Sequence, residues 1–335
     1  MSSMQVESEP DARAEGSMPD MTSLPDATGA DDGADTTTAG PAAGNPTAGD
    51  DDTAGTAGDD AYLRAREHAE NFPVALRILP RRHRRHLQAV YDVARVIDDL
   101  GDSATGDRRP RLRAFDADLD MLFDGGTPRT PVLQRLRRTV EECHLDAQPF
   151  HDLVAANLLD QEKAAYGTWA ELADYCRLSA DPVGRIVLQV FGASTPTRVA
   201  LSDNICTALQ VIEHCQDVAE DRRAGRIYLP LEDLDRFGVR PTDLDAKRAT
   251  PAVRKLVAFQ ADRAAALLDS GLPLLRDLRG WARLAVTGYV AGGRAALYAL
   301  RRARWDVLAG PPKPRKREVV TQAAAATFGV GVTSR

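Results

Sequence analysis

The amino-acid sequence predicts an all-α protein with a central cavity between two aspartate-bearing helices. Three observations lead to this prediction. No stretch of the chain alternates convincingly between apolar and polar residues, as a half-buried strand would. Apolar residues instead recur every three or four positions, which is typical of amphipathic helices. In addition, one pattern of polar and acidic residues occurs twice at helical spacing.

The first copy of this pattern is YDVARVIDDLGD, from Tyr91 to Asp102. Steps of four, three and four place Tyr91, Arg95, Asp98 and Asp102 on one stripe of a helix. Apolar residues just before them form a neighbouring stripe, so one side of the helix can be buried. Two carboxylates one turn apart on a buried helix are unfavourable unless cations neutralise them.

The second copy is QVIEHCQDVAED, where Gln210, His214, Asp217 and Asp221 repeat the same steps. If the two helices face each other, four aspartates and Glu213 point into one cavity. Carboxylates without a histidine or thiolate cluster suit magnesium, which often bridges to substrate phosphates. The sequence therefore predicts a helical pocket that binds a diphosphate through magnesium. Two solvated helix faces are the alternative interpretation, and the repetition makes it less favoured.

The remaining helices are predicted from apolar spacing and from the prolines and glycines that bound them. Pro80 stands where the first acidic helix begins, and Gly101 stands near its end. Gly225 fits a helix C-cap, and Pro230 begins a turn-rich connection. The other helices are expected at about 61–70, 108–124, 130–143 and 149–164, as two short helices within 166–192, and at about 197–222, 250–270 and 278–305. Small residues around Gly293 in the last of these allow close helix packing.

Composition divides the chain into three predicted parts. Residues 1–60 are rich in Gly, Ala, Asp and Thr and contain fourteen Asp or Glu and one Arg, a charge of −13. They are predicted to be a disordered tail, because so few apolar residues cannot offset the entropy of ordering. Residues 61–310 form the predicted helical domain, and 311–335 a basic, proline-containing loose tail. The whole chain carries −6, which leaves +7 for the remainder.

Charge and cysteine content restrict the classes of partner. The mildly basic remainder suits anionic substrates or lipid headgroups, but it is not basic enough to indicate nucleic-acid binding. Four scattered cysteines form no CxxC pair and predict reduced thiols in a cytoplasmic protein. We see no signal peptide and no membrane-spanning run. Peripheral contact with the inner face of the membrane, through Arg81–His86 and the C-terminal basic cluster, is a further hypothesis.

Taken together, five motifs make the chain resemble the squalene/phytoene synthases, all-helical head-to-head prenyl transferases. These are NFPVAL, YDVARVIDDLGD, YCRLSADPVG, QDVAED and GRIYLP, in this order along the chain. NFPVA and SADPVG look most like the members that make hydroxysqualene in bacterial hopanoid biosynthesis. The resemblance implies the helical isoprenoid-synthase fold over about 61–310 and magnesium as cofactor.

The resemblance also implies roles for individual residues. Metal and diphosphate would be held by the acidic residues Asp98, Asp99, Asp102, Asp217 and Asp221, and by Glu213, which stands where the family usually has asparagine. Tyr91 and Arg95 would contact the diphosphate, and Tyr175 and Gln210 would line the cavity near the reacting carbons. Substrate contacts are further implied for Asn71 and for the channel-wall residues Ser179 and Val183.

The implied reaction converts presqualene diphosphate to hydroxysqualene with loss of diphosphate. The implied pathway partners are a presqualene diphosphate synthase and a flavin-dependent enzyme that consumes the product. One alternative is the condensation of two farnesyl diphosphates to presqualene diphosphate, squalene or a carotenoid precursor. A more remote alternative is a non-catalytic homologue that binds lipid or assists assembly.

Overall fold

In the computed structural model, the described residues are 79–102 and 106–328, and every regular element among them is helical, which confirms the predicted all-α fold. The helices of the first half are α1 (Arg81–Asp102), α2 (Arg109–Phe123), α3 (Pro131–Cys143), α4 (Gln148–Leu159), α5 (Trp169–Ser179) and α6 (Asp181–Val190). Those of the second half are α7 (Pro196–Gln216), α8 (Val218–Arg223), α9 (Leu231–Arg236), a 3-10 helix (Pro241–Asp245), α10 (Pro251–Gly271), α11 (Pro273–Asp277), α12 (Gly280–Arg302) and α13 (Lys316–Phe328). The predicted tail of residues 1–60, the helix at 61–70 and Asn71 lie outside the described residues.

Helix α1 carries the first acidic motif because its apolar residues form one continuous buried stripe. Leu87, Val90, Val93 and Ile97 are buried in a core cluster shared with α2, α3, α4 and α6. Near its end α1 approaches α4 so closely that a side chain on Gly101 would overlap the side chain of Asn157. This close packing fixes the aspartates of α1 against α4.

Helix α7 is the central helix of the second half and packs against α6, α10 and α12. The predicted close packing of α12 is present at Gly293, where a methyl group would overlap Leu209 of α7. One continuous helix was predicted over the second acidic motif, and this is wrong. The structure has two helices there, because α7 ends at Gln216 and α8 begins at Val218. Asp217 lies between them, and its backbone carbonyl accepts hydrogen bonds from the amides of Glu220 and Asp221.

The C-terminal segment differs from its prediction. A loose tail is predicted beyond residue 310, but α13 spans Lys316–Phe328 and packs against α12. Glu318 in its first turn pairs with Arg302 and accepts a hydrogen bond from the amide of Arg315. The prediction of a loose tail is wrong over this helix, because it rested on the prolines and basic residues alone. The alanine run that follows them favours a helix.

None of the helices over 79–102 and 106–328 is long and apolar enough to cross a bilayer.

Candidate active site

The C-terminal ends of α1 and α7 bring the two acidic motifs to one region. Arg226, which follows the second motif, connects them: its Nη2 lies 3.1 Å from Oδ1 of Asp102. The same guanidinium acts electrostatically on Asp221, on Asp160 and on Tyr228. Sequence reasoning named GRIYLP as a motif but gave Arg226 no role, because its partner lies 124 residues earlier in the chain.

The first motif is held in place on α1 by neighbours on α4. Asn157 donates a hydrogen bond to Asp98 at 3.4 Å, and Gln161 donates one to the backbone carbonyl of Gly101 at 3.2 Å. Asp98 keeps solvent-accessible surface, yet the protein atoms crowded around its carboxylate, together with the charges of Asp102 and Asp99, raise its pKa to about 6. Arg95 lies 3.7 Å from Asp99, one turn along the helix.

The second motif places a dense set of acids at the break between α7 and α8. Burial, and after it the nearby charges of Asp217 and Glu213, together raise the pKa of Asp221 to about 7. Burial and then Glu220 also raise the pKa of Asp217. Burial is the largest cause of both shifts and the neighbouring acids add to it, so a bound cation would favour the charged carboxylates.

Lys313 reaches this second motif from the segment before α13. Its charge lowers the pKa of Asp217, against the effect of burial. The segment is fixed because Gln216 donates a hydrogen bond to the carbonyl of Pro312 at 2.6 Å, and Arg302 donates one to the carbonyl of Lys313 at 2.9 Å. Of the C-terminal basic residues, Lys313 is therefore the one that the structure brings to the acidic site.

The donor set fits magnesium in its chemistry. The candidate ligands are carboxylate oxygens, which hard divalent cations prefer. Among the residues that the structure describes, no three acids, histidines or cysteines are close enough together to hold a metal ion by themselves. At many magnesium sites one or two carboxylates share the ion with substrate phosphates and water.

An aromatic cluster lies beside the acidic motifs, around the half-buried side chain of Asp160. Tyr175 donates its hydroxyl hydrogen to Asp160 Oδ2 at 2.8 Å, and Tyr228 donates to Oδ1 at 3.0 Å. The ring of Tyr228 stacks on His214 with 4.0 Å between centroids, and the ring of Tyr166 lies 5.8 Å from that of Tyr228. Burial raises the pKa of Asp160, and the two tyrosine hydrogen bonds act against that rise.

His214 and Tyr166 are two side chains of this cluster whose burial has a direct consequence for their chemistry. Burial lowers the pKa of His214 to about 3, so its imidazole is neutral at ordinary pH, with Gln210 Nε2 at 3.4 Å from its Nε2. The Tyr166 hydroxyl is buried and has no hydrogen-bond partner among the described residues. Asp160 and Tyr166 were missed because they lie in none of the five motifs, and Tyr228 was missed because GRIYLP was given no residue roles.

The remaining predicted residues are distributed around this site. Tyr175 and Ser179 share α5, whereas Val183 lies on α6, so the predicted stripe crosses a helix boundary. Val183 packs against the core cluster that includes residues of α1, and the Ser179 hydroxyl is buried without a partner among the described residues. Tyr91 lies on α1 and is half-buried.

One small cavity lies among these residues, and a larger surface depression lies away from them. A small cavity of about 10 Å³, room for one water molecule, is lined by His214, Asp221, Arg226 and Tyr228 among others. A surface depression of about 600 Å³ beside Asp146 and Arg185 includes none of the predicted site residues, so it does not belong to the site.

Comparison with known proteins gives a consistent result. A family model described as squalene/phytoene synthase matches residues 65–320. A hydroxysqualene synthase of Rhodopseudomonas palustris is 38% identical over 214 residues, which is 63% of this chain and 72% of that protein. A presqualene diphosphate synthase of Zymomonas mobilis is 29% identical over 201 residues, 58% of this chain and 68% of that protein.

Solved structures agree with the sequence matches. The crystal structure of squalene synthase HpnC from Alicyclobacillus acidocaldarius superposes with a TM-score of 0.68 at 44% identity, covering 76% of this chain and 95% of that one. A dehydrosqualene synthase with a bound ligand superposes with a TM-score of 0.73 at 25% identity, covering 83% and 98%.

Proposed function

Because the chain belongs to the squalene/phytoene synthase family of prenyl-diphosphate-processing enzymes, we propose that it converts presqualene diphosphate to hydroxysqualene and releases diphosphate. The family and the enzymatic nature predicted from the motifs are thereby confirmed. The observation that carries the finer proposal is the joining of the two acidic motifs through Arg226 and Asp102, next to a buried aromatic cluster. The hydroxysqualene synthases among the relatives support the choice of substrate.

The proposed reaction exchanges diphosphate for a hydroxyl group. The carbon–oxygen bond to the diphosphate breaks, and its electron pair leaves with the diphosphate. The cyclopropane ring of the remaining cation opens, a water oxygen bonds to the cationic carbon, and one proton is lost. No external reductant or oxidant is needed.

The acidic motifs and the cations around them would bind the leaving group. Asp98 and Asp102 from α1, with Asp217 and Asp221 from the second motif, would hold magnesium, which when bound neutralises the charge of the diphosphate. Arg226 stands between the motifs and Lys313 beside Asp217, so each would bring positive charge toward the departing oxygens. Such fixed charges stabilise the departing diphosphate more than water does.

The aromatic cluster would border the cation. Its rings are held in place by hydrogen bonds from Tyr175 and Tyr228 to Asp160 and by stacking on His214. Electron-rich ring faces attract cations, and the buried surroundings limit the entry of water. A neutral His214 does not repel a carbocation, whereas a protonated one would.

Product analysis tests this proposal directly. Purified protein with magnesium is given farnesyl diphosphate in one tube and presqualene diphosphate in another, and products are identified by mass spectrometry. Hydroxysqualene from presqualene diphosphate, and none from farnesyl diphosphate, is expected. Presqualene diphosphate or a longer hydrocarbon from the first tube would assign the chain to the condensing enzymes instead. Silence in both tubes would favour a non-catalytic lipid-binding homologue.

Variants test the metal assignment. Asp217→Ala should abolish turnover and keep the helical circular dichroism of the wild type, because burial makes the charge of this carboxylate unfavourable to the fold. Asp262→Ala is the matched control, since this carboxylate is exposed on the outer face of α10. Substantial hydroxysqualene from Asp217→Ala would contradict the assignment.

A further inference from the structure

The start of α12 exposes two large apolar side chains side by side. Trp281 and Leu284 are 43% and 40% exposed, and their spacing of three places them on one face of the helix. Farther along that helix Tyr298 is exposed too, but it stands alone, and apolar residues such as Val290 and Leu300 are buried. A tryptophan and a leucine left together on the surface are typical of a face that contacts another phase or partner.

Basic residues surround this apolar pair. Arg276 of α11 and Arg279 just before α12 are exposed. Asp277, which lies between them, is ion-paired with Arg198, whose Nε lies 2.6 Å from its carboxylate. The local excess of charge is therefore positive, so the face is complementary to an anionic surface.

The start of α1 adds to the same end of the helical bundle. The ring of His83 lies 5.0 Å from the ring of Phe191, at the end of α6. Phe191 packs both against the cluster of α1 and against the cluster that contains Leu278 and Ala282, beside Trp281. Arg198 fastens this corner, because it also donates hydrogen bonds to the carbonyls of Ala193 and Asp277.

Only part of the basic run that begins α1 is available at this end. His86 is buried against Thr139, and Arg85 is paired with Glu142 at 3.1 Å. Arg81 and Arg82 are exposed. Together, Arg81, Arg82, Arg276, Arg279, Trp281 and Leu284 form what we call the basal patch.

The basal patch lies opposite the acidic motifs. Both acidic motifs are at the C-terminal ends of α1 and α7, and the basal patch is at the N-terminal ends of these helices. Sixteen residues of α1 separate Arg82 from Asp98, an axial distance of about 24 Å at 1.5 Å per residue. A membrane at the basal patch would therefore leave the acidic end facing water.

We propose that the basal patch docks the protein onto an anionic lipid bilayer, with Trp281 and Leu284 in the interface and the arginines on the headgroups. A tryptophan–leucine pair with flanking arginines is the composition that interfacial docking uses, and it needs no spanning helix. Each arginine near an anionic surface strengthens binding roughly five-fold. The benefit of this orientation, delivery of an apolar product toward lipid, rests on the proposed function, but the docking does not.

Vesicle sedimentation with the full chain tests the proposal. The vesicles contain phosphatidylglycerol and phosphatidylcholine, or phosphatidylcholine alone, at low salt. The wild type should bind the anionic vesicles, and R276E/R279E should bind them at least roughly 25-fold more weakly. The matched control R111E/R113E makes the same change of charge on exposed arginines of α2 and should bind like the wild type.

The apolar pair is tested separately. Trp281→Ser with Leu284→Ser should weaken binding, whereas Tyr298→Ser, which removes a 50% exposed aromatic ring from the same helix, should not. Brominated lipids should quench the wild-type fluorescence more than that of Trp281→Phe, since this variant retains an apolar side chain but not the fluorophore. Circular dichroism verifies that each variant is folded.

Two outcomes would overturn docking: no binding of the wild type to anionic vesicles, or equal losses in the basal-patch variants and their controls. Turnover of presqualene diphosphate in detergent is measured on the same samples. Vesicle binding without hydroxysqualene would refute the proposed function and leave docking standing. Hydroxysqualene without patch-dependent binding would refute docking alone.

Discussion

Two tyrosines of the aromatic cluster should respond oppositely to the loss of a hydroxyl group. The Tyr228 hydroxyl donates to the half-buried carboxylate of Asp160 at 3.0 Å. A hydrogen bond to a charged group contributes about 1.5–3 kcal/mol, so Tyr228→Phe should lower the free energy of unfolding by about 2 kcal/mol. The Tyr166 hydroxyl is buried without a partner among the described residues, so no hydrogen bond offsets its desolvation. Tyr166→Phe should therefore raise the free energy of unfolding by about 1 kcal/mol.

Urea unfolding measures both effects, since a change in midpoint at constant slope gives the change in free energy. The loss in Tyr228→Phe should also depend on pH. Burial raises the pKa of Asp160, and the Tyr228 hydrogen bond opposes this rise, so the variant raises that pKa further. The unfolding free energy of the variant should therefore fall more as pH increases, and the difference from wild type should shrink below about pH 4, where the carboxyl is neutral in both states. Equal losses in the two variants, or a larger loss in Tyr166→Phe, would refute the reasoning.

Three other predictions concern Asp181, Gly101 and the dependence on magnesium. Burial, and after it the charge of Asp203, together raise the pKa of Asp181 to about 7. The unfolding free energy should therefore fall by up to about 4 kcal/mol between pH 4 and 7. Asp181→Asn should flatten this fall in urea titrations, and an unchanged fall would contradict the prediction. Gly101→Ala would displace Asn157 and should reduce turnover on the order of ten- to hundred-fold. In its control, Gly292→Ala, the added methyl group meets no described atom within 4 Å. This control should retain activity and gain about 0.5–1 kcal/mol in unfolding free energy. Equal turnover in the two variants would contradict the packing argument. A chelator should abolish diphosphate release and magnesium should restore it, as measured by direct ion chromatography of diphosphate. Release that persists in chelator would exclude the metal role.

Much of the fold was predictable because its helices follow local rules. The apolar stripe of α1 and the prolines that begin α3, α6 and α10 act within a few residues of the chain. The break at Asp217 was not predictable, because no proline or glycine marks it. The residues of α13 contain a run of alanines that favours a helix, but the prediction of a loose tail rested only on the basic, proline-rich stretch before it.

The candidate site divides in the same way. The spacing of the aspartates identified the two acidic motifs, because the steps are local. The partners that connect them are not local: Arg226 meets Asp102 across 124 residues, and Tyr228 meets Asp160 across 68. Such pairs depend on how the helices pack, and a single sequence does not encode that in any short pattern.

The most direct test of the central claim is turnover of presqualene diphosphate in water labelled with heavy oxygen. The protein is incubated with magnesium, and the product is analysed by mass spectrometry. We expect hydroxysqualene that carries one heavy oxygen atom, together with released diphosphate, because the carbon–oxygen bond to the diphosphate breaks and a water oxygen replaces it. Hydroxysqualene without the label, a hydrocarbon without oxygen, or no product would contradict the account.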